Sequence, residues 1–206
     1  TPLTCVILSY KIASSKHFLH INKRFYQYLP SILKRPLDVD NTTELSFKGG
    51  GRIVAAAATQ AGGLRSYTCS MLHISEYAFA ENPEELKATA ISALNDGQLV
   101  IESTANYYND ALWKEIHKHQ IGEAHWNYLF FPWYMHAEYS MEDIGLDLTE
   151  EETKLQFDHG LTLGQIAWRR EKISKLGWEK FVRGYPLTWD EAYRISGNTY
   201  FSATDF

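Results

Sequence analysis

The stretch SMLHISEYAFAE, residues 70–81, joins an apolar run to two polar residues, Ser75 and Glu76. A carboxylate buried without a partner or a cation costs several kcal/mol, ~3–5 in measured cases. The end of a strand is the exception, because open α/β sheets bind their ligands in the crevice outside the carboxyl ends of their strands. Glu76 is therefore a candidate functional residue at the end of a predicted strand.

The composition indicates an ordinary globular protein: the chain has 206 residues, of which 45% are hydrophobic and 22% are charged. No apolar run approaches the roughly 20 residues of a membrane-spanning helix, and no secretory signal opens the chain. The two cysteines, Cys5 and Cys69, are too few for a disulfide framework and favour buried thiols in a reducing compartment. The net charge of −5 argues against a protein that coats nucleic acid, but allows local contacts with phosphates.

Strands and helices are predicted to alternate along the chain. A glycine turn at 49–51 predicts a hairpin, and Pro83 followed by two glutamates predicts a helix start. The expected elements are a strand at 3–8, a helix from Ser14 to Leu29, a loop at 31–41, the hairpin at 43–58, a strand at 69–74, a helix at 83–93, a turn at 95–97, a strand at 98–103, a helix at 111–120, an aromatic strand at 125–134 and a helix from Thr162 to Gly184.

This alternation predicts an α/β fold with a mostly parallel central sheet and flanking helices. In such a sheet the carboxyl ends of the two central strands lie side by side. One end carries Ser75 and Glu76, and the other carries the run from Glu102 to Asn106. We therefore expect these polar side chains to share one edge of the sheet.

Four stretches occur in an order that resembles a known family. They are GGLRS at 62–66, MLHISE at 71–76, IESTAN at 101–106 and GYPLTWDEAYRISG at 184–197. In that order they resemble the ATPase domain of a phage terminase large subunit, the motor that packages viral DNA. The resemblance covers nearly the whole chain and implies a P-loop NTPase-like fold.

The resemblance implies a role for Glu76 and Ser75. Glu76 matches the glutamate that ends the Walker B strand, which orients the attacking water and receives its proton. Ser75 stands where the family usually has an aspartate that holds Mg²⁺ through water; its hydroxyl can hold a water but brings no charge. Taken without the resemblance, Glu76 is equally compatible with a carboxylate that favours a helix N-terminus.

Further roles are implied for the loops on either side. Thr104 and Asn106 match the coupling motif that senses the γ-phosphate, although Tyr107 replaces a frequent glycine. Arg65 matches an arginine finger that reaches the ATP of a neighbouring subunit. The residues alone also allow a plain polar turn at 103–106 and a surface arginine at 65.

The phosphate-binding motif G-x-x-x-x-G-K-[ST] does not occur in the sequence, and the glycines at 49–51 are followed by Arg52. In terminases this loop precedes the strand that opens this chain, and a nuclease domain would follow Phe206. The expectation is therefore a segment: residues 1–140 as an ATPase core without its first strand and phosphate loop, and residues 141–206 as a helical linker. Such a segment should be inactive by itself.

The implied cofactors are ATP and Mg²⁺. The implied partners are double-stranded DNA, further copies of the chain in a ring, a portal protein and a small terminase subunit. No membrane is implied, and the implied location is the host cytoplasm.

Two alternative functions remain open. One is a non-catalytic P-loop-like interaction module, which Ser75 and Tyr107 favour, and the other is a helicase-type P-loop ATPase. A hydrolase that used Ser75 or Ser103 as its nucleophile would require the G-x-S-x-G nucleophile-elbow motif. Neither serine lies in such a motif.

Overall fold

The computed structural model describes residues 3–59, 68–142 and 145–194. The chain divides into two compact units, Thr1–Thr104 and Ala105–Phe206. The boundary between these units lies earlier than the predicted functional division at residue 140, which stays a prediction. Within the described ranges, no helix combines the length and the apolar character needed to cross a membrane.

The first unit is built on a six-stranded sheet with the strand order β2-β3-β4-β1-β5-β6. Its strands are β1 (Thr4–Ser9), β2 (Leu37–Asp40), β3 (Glu44–Phe47), β4 (Arg52–Ala57), β5 (Cys69–Ser75) and β6 (Leu94–Glu102). The neighbours β4, β1, β5 and β6 are all parallel, and β3 is antiparallel to both β2 and β4. The predicted mostly parallel α/β sheet and its hairpin are therefore confirmed.

Helices α1 (Ile12–Tyr28) and α2 (Pro83–Ala93) belong to the same unit as the sheet. Helix α1 places Leu19 in a buried cluster with Leu45 of β3 and Ala55 of β4. Burial of each of the two leucine side chains stabilises the unit by roughly 1.5–3 kcal/mol. Helix α2 begins at Pro83, as predicted, because proline has no N–H to leave unsatisfied in the first turn.

The second unit is helical. Its helices are α3 (Ala111–Gln120), α4 (Glu150–His159), α5 (Leu163–Leu176), α6 (Trp178–Gly184) and α7 (Trp189–Arg194). A buried cluster forms its core: Trp133, Leu161, Ile166, Trp168, Phe181 and Val182. The indole rings of Trp133 and Trp168 stack at 5.3 Å between centroids, so the aromatic residues of this region serve the core.

The predicted aromatic strand at 125–134 is wrong. Residues 125–132 have no regular secondary structure, and Trp133–Met135 forms a single 3₁₀ turn. Proline at 132 removes a backbone donor that a strand needs, and Trp133 packs into the aromatic core instead. The predicted helix from Thr162 to Gly184 is likewise two helices, because Gly177 has a φ of 79° and ends the first of them.

Two predictions around the sheet are also wrong. Residues 37–40, expected in a loop, form edge strand β2, because half-buried Leu37 packs against the α1 cluster. The expected turn at 95–97 lies inside β6, where the pairing with β5 shifts register. Asp96 has a φ of 52° there. The turn-forming residues therefore make a bulge within the strand rather than a separate turn.

Candidate active site

Glu76 lies immediately after β5 in a left-handed backbone conformation, with φ 56° and ψ 45°. This conformation costs a non-glycine residue roughly 1–2 kcal/mol. The next residues stabilise the turn: the Phe79 N–H donates to the Glu76 carbonyl at 3.0 Å, and Tyr77 is fully buried. Strain maintained in this way is typical of functional positions.

The end of β6 supplies hydroxyl groups to Glu76. Thr104 Oγ1 donates to Glu76 Oε2 at 3.5 Å. Ser103 Oγ lies 3.4 Å from the same oxygen, but it donates its single proton to the Thr104 carbonyl oxygen at 2.8 Å. The Ser103 hydroxyl also accepts from the Ala78 N–H at 3.2 Å, which ties the two strand ends together. The predicted juxtaposition of these two strand ends is observed, and it brings Thr104 to Glu76. Both distances to Oε2 are long, so the Glu76 carboxylate keeps most of its capacity to accept hydrogen bonds.

Ser75 lies in a row of polar residues that crosses three parallel strands. Ser9 of β1 is in register with Ser75 of β5, and Ser75 is in register with Glu102 of β6. The two serines are 0% and 1% exposed. Their Oγ atoms and Glu102 Oε1 are inaccessible to solvent. Ser75 and His73 are the polar neighbours of the Glu102 carboxylate.

Glu102 carries the negative charge of the row. Burial acts to raise the pKa of its carboxyl group, but His73 and Ser75 beside it favour the ionised form, and the net result is a lowered pKa. His73 Nε2 lies 3.4 Å from Glu102 Oε1, too far for a short charge-assisted hydrogen bond. The His73 ring meets the edge of Phe18 on α1 at 5.2 Å between centroids.

The other predicted site residues lie elsewhere. Asn106 belongs to the second unit, where its backbone N–H donates to Asp110 Oδ2 at 3.0 Å. Arg65 lies outside the described residues. The sequence interpretation assigned no role to Ser9 or Glu102. Glu102 had the same signal as Glu76, a carboxylate that closes an apolar strand, whereas nothing local marks Ser9.

The residues present fit a hydrated divalent cation better than a protein-caged metal. Within the described ranges, no group of three or more His, Cys, Asp or Glu side chains is arranged to hold a metal ion. A carboxylate with neighbouring hydroxyls suits Mg²⁺, which keeps several waters and uses one or two carboxylates with substrate phosphates. The backbone cradle and lysine that bind ATP phosphates have no counterpart in the 206-residue sequence.

The fold has a solved counterpart in the HK97 bacteriophage large terminase. The two structures agree with a TM-score of 0.54 over 90% of this chain, at 13% sequence identity. The chain has the large-terminase fold. That result confirms the predicted P-loop NTPase-like architecture; at this identity the likeness concerns the fold alone.

Two further solved structures are similar to this chain with lower scores. The ATPase domain of the Thermus phage P74-26 large terminase gives a TM-score of 0.46 at 12% identity, over 91% of this chain and 76% of that one. A large terminase from a thermophilic bacteriophage gives 0.47 at 12% identity, over 60% and 31%. The chain spans 39% of the HK97 protein. It matches no protein-family profile and no curated protein.

Proposed function

We propose that the chain is part of an ATP-hydrolysing large terminase, the motor that drives phage DNA into a procapsid, and that Glu76 is its general base. The observation that carries the proposal is the position of Glu76 at the carboxyl edge of a parallel sheet, with its carboxylate beside the hydroxyl groups that follow the next strand. Its occurrence on the large-terminase fold supports the assignment.

In the proposed mechanism, Glu76 accepts a proton from the water that attacks the γ-phosphate. Thr104 donates a long hydrogen bond to Oε2 of the carboxylate, and the remaining lone pairs of the carboxylate accept from the water. Glu76 follows the last residue of β5 in a left-handed turn, and the ligands of such sheets bind outside the carboxyl ends of the strands. Mg²⁺, when bound, would neutralise charge on the β- and γ-phosphates.

The wider assembly is part of the proposal. The motor would act on double-stranded DNA as a homo-oligomeric ring with a portal protein and a small terminase subunit, in the cytoplasm of the infected host. Asn106 and Thr104 would sense the γ-phosphate. Because the 206 residues contain no phosphate loop, the activity is proposed for the complete gene product.

The direct experiment is Glu76→Gln in the complete gene product. The amide keeps the shape of the side chain but cannot take the proton, so ATP binding should persist while single-turnover hydrolysis falls by about 10²–10⁴-fold. Glu81→Gln, an exposed carboxylate five positions along the chain, is the matched control and should change neither quantity. Hydrolysis by Glu76→Gln within about tenfold of the parent would remove Glu76 from this role.

Arg65 is proposed to act between subunits of the ring. Arg65→Ala subunits and Glu76→Gln subunits, each inactive alone, would be mixed. An arginine that works in trans lets the intact arginine of one subunit serve the intact Glu76 of its neighbour, so part of the activity returns. A mixture that assembles normally and stays inactive would leave Arg65 acting within its own subunit or outside catalysis.

A second candidate function is a non-catalytic interaction module with a nucleotide-binding fold. The observation that favours it is Ser75, which is buried and uncharged where a metal-holding carboxylate would be expected. The two functions differ in one measurement, steady-state ATP turnover by the complete gene product. Turnover that depends on Glu76 supports the motor, and its absence in a well-folded protein supports the module.

A further inference from the structure

We propose that residues 24–35, the end of α1 and the turn after it, form a docking surface for helix α4 of a second copy of the chain. This stretch, named here the basic docking surface, combines exposed apolar side chains with exposed cations. Association of the copies follows from the residues themselves. Its use in a motor ring rests on the proposed function.

Two hydrogen bonds fold the basic docking surface back on itself. Tyr26 Oη donates to the carbonyl oxygen of Arg35 at 2.7 Å, and Lys34 Nζ donates to the carbonyl oxygen of Gln27 at 2.8 Å. The 3₁₀ turn Ser31–Leu33 is therefore held near the last turns of α1, and residues on both sides of Pro30 contribute to one surface.

The apolar part of this surface is unusually exposed. Five large side chains within nine residues face solvent: Phe25, Tyr28, Leu29, Ile32 and Leu33. Ile32 is 91% exposed and Tyr28 is 80% exposed. Single exposed apolar residues are common on soluble proteins, whereas a cluster of them marks an interaction site. The surface therefore fits a partner that brings apolar groups of its own.

The charge of the surface favours an acidic partner. Residues 1–37 contain six Lys or Arg and no Asp or Glu, although the whole chain has a net charge of −5. Three of these cations are exposed in the basic docking surface: Arg24, Lys34 and Arg35. The nearby Lys23 is already neutralised by Asp40. Carboxylates opposite the three cations would give the complementary charge that selects a partner.

Helix α4 has this complementary chemistry. Residues 138–158 contain eight Asp or Glu and a single Lys. Phe157 on α4 is 88% exposed, and the exposed Glu150 lies two turns before it on the same helix face. Asp158 is the next residue and forms an exposed pair with Lys154. The helix therefore presents an aromatic side chain, a residue type enriched at interfaces, together with carboxylates.

Duplex DNA is a second polyanion that could pair with the cations of this surface. Phosphates would contact Arg24 and Lys34 but would leave Ile32 and Leu33 in water. The Phe157 ring offers these two side chains an apolar contact. The exposed apolar cluster is thus the reason to place a protein helix here rather than a nucleic acid.

The docking surface and α4 are different parts of the chain, so their contact is head-to-tail. Each copy carries both parts, and the same contact can repeat from one copy to the next. A repeated head-to-tail contact gives closed rings or open filaments. It is therefore a kind of contact from which a ring of copies can be built.

The test is sedimentation velocity on the 206-residue chain without nucleotide. In about 50 mM salt the parent should associate at concentrations up to ~100 µM, and about 0.5 M salt should weaken the association by screening the exposed charges. Arg24→Glu/Lys34→Glu places like charges opposite α4 and should weaken association by at least about tenfold. Ile32→Ser, at a side chain that packs little in the free chain, should weaken it by about tenfold without a change in charge.

A charge-matched control separates the docking surface from the general effect of net charge. Lys114→Glu/Lys180→Glu makes the same change in net charge at exposed lysines of α3 and α6, and it should associate as the parent does. Far-UV circular dichroism and thermal unfolding identify the variants that keep the fold.

Mixing tests the pairing of the two parts. Glu150→Lys/Asp158→Lys reverses the charge of α4 and should remain monomeric alone, as Arg24→Glu/Lys34→Glu should. In the mixture, the intact docking surface of the first variant meets the intact α4 of the second, so association should return. Two folded variants that stay monomeric when they are mixed, although the parent associates, overturn the pairing.

The remaining outcomes are equally decisive. A parent that stays monomeric at ~100 µM, or an Arg24→Glu/Lys34→Glu variant that associates as the parent does, overturns the proposal. A monomeric parent that binds a short DNA duplex through Arg24 and Lys34 assigns the surface to DNA and overturns the proposal as well.

The measurement is also independent of the proposed function. Association that depends on both parts supports the contact even if the complete gene product hydrolyses no ATP, in which case the motor function fails by itself. ATP hydrolysis that depends on Glu76, together with a monomeric chain, supports the motor function and removes this contact.

Discussion

The Tyr193 hydroxyl of α7 donates a hydrogen bond at 3.3 Å to Oδ1 of Asp110, a residue 83 positions earlier in the chain. Asp110 is buried and also accepts from the backbone N–H groups of Asn106, Tyr107 and Trp113, at 3.0, 3.3 and 2.8 Å. One carboxylate therefore caps α3, closes the loop after the predicted coupling residues and joins that loop to α7. Burial raises the pKa of Tyr193, and the charge of Asp110 raises it further, so the hydroxyl keeps its proton.

Removal of this hydrogen bond should measurably destabilise the protein. We expect Tyr193→Phe to lower the free energy of unfolding by about 1.5–3 kcal/mol, because the lost bond has a charged acceptor. Asp110→Ala should cost more, since it also removes the cap of α3 and the two bonds to the loop. Urea denaturation at pH 7 provides the measurement. Tyr108→Phe, at an exposed tyrosine in the same loop, should stay within about 0.5 kcal/mol of the parent; a Tyr193→Phe protein as stable as this control would contradict the prediction.

The Glu152–Arg170 pair should make stability depend on acid pH. Arg170 Nε and Nη2 donate to the two carboxylate oxygens of Glu152 at 2.6 and 2.5 Å. This contact, opposed by burial and helped by Thr149, lowers the pKa of Glu152 from 4.5 to about 2. A lowered carboxyl pKa contributes stability above the unfolded value, and that stability is lost as the pH falls from about 4.5 towards 2.

Urea denaturation at pH 7, 4 and 3 tests this dependence. Glu152→Gln should be less stable than the parent at pH 7, and the difference should shrink as the pH falls. The matched control is Asp158→Asn, which removes an exposed pair with Lys154 on the same helix and should cost only about 0.5 kcal/mol. A Glu152→Gln difference that stays constant with pH would mean that the side chain contributes by packing rather than by charge.

Relief of the backbone strain at Glu76 should raise stability. Glycine adopts positive φ without penalty, whereas alanine at the same φ of 56° keeps the strain. Glu76→Gly should therefore be more stable than Glu76→Ala by about 1 kcal/mol. Both changes remove the carboxylate, so the difference in stability between the two variants reports the backbone strain at residue 76. Thermal unfolding of the two variants is the measurement; equal midpoints would show that the left-handed turn stores no strain.

Gly97 should tolerate no side chain. A Cβ at this position would lie 2.6 Å from the Ser70 carbonyl oxygen on the neighbouring strand, and backbone atoms cannot move aside cheaply. We expect Gly97→Ala to cost about 1–3 kcal/mol. Gly184→Ala is the control, since nothing lies within 4 Å of its Cβ and its backbone is helical; it should be neutral or stabilise by up to about 1 kcal/mol. Similar losses in both variants would contradict the close approach at Gly97.

Features that depend on local chemistry could be predicted from the residues alone. Alternating apolar runs and helix signals predicted the parallel α/β sheet, and Pro83 predicted the start of α2. The meeting of Glu76 with Thr104 was also predictable, because the carboxyl ends of neighbouring parallel strands share one edge. Each of these depends on residues close together in sequence, or on one rule of sheet topology.

Features that depend on pairing between distant segments emerged only in the folded chain. Leu37–Asp40 forms a strand because it pairs with the free edge of β3. The turn residues around Gly97 form a bulge because the pairing of β6 with β5 continues on both sides of them. The row from Ser9 to Glu102 exists through strand register, which a shift of one residue would turn to the opposite face. Contacts of this kind lie between segments that are far apart in the chain and carry no local signal, so only the fold brings these polar residues together.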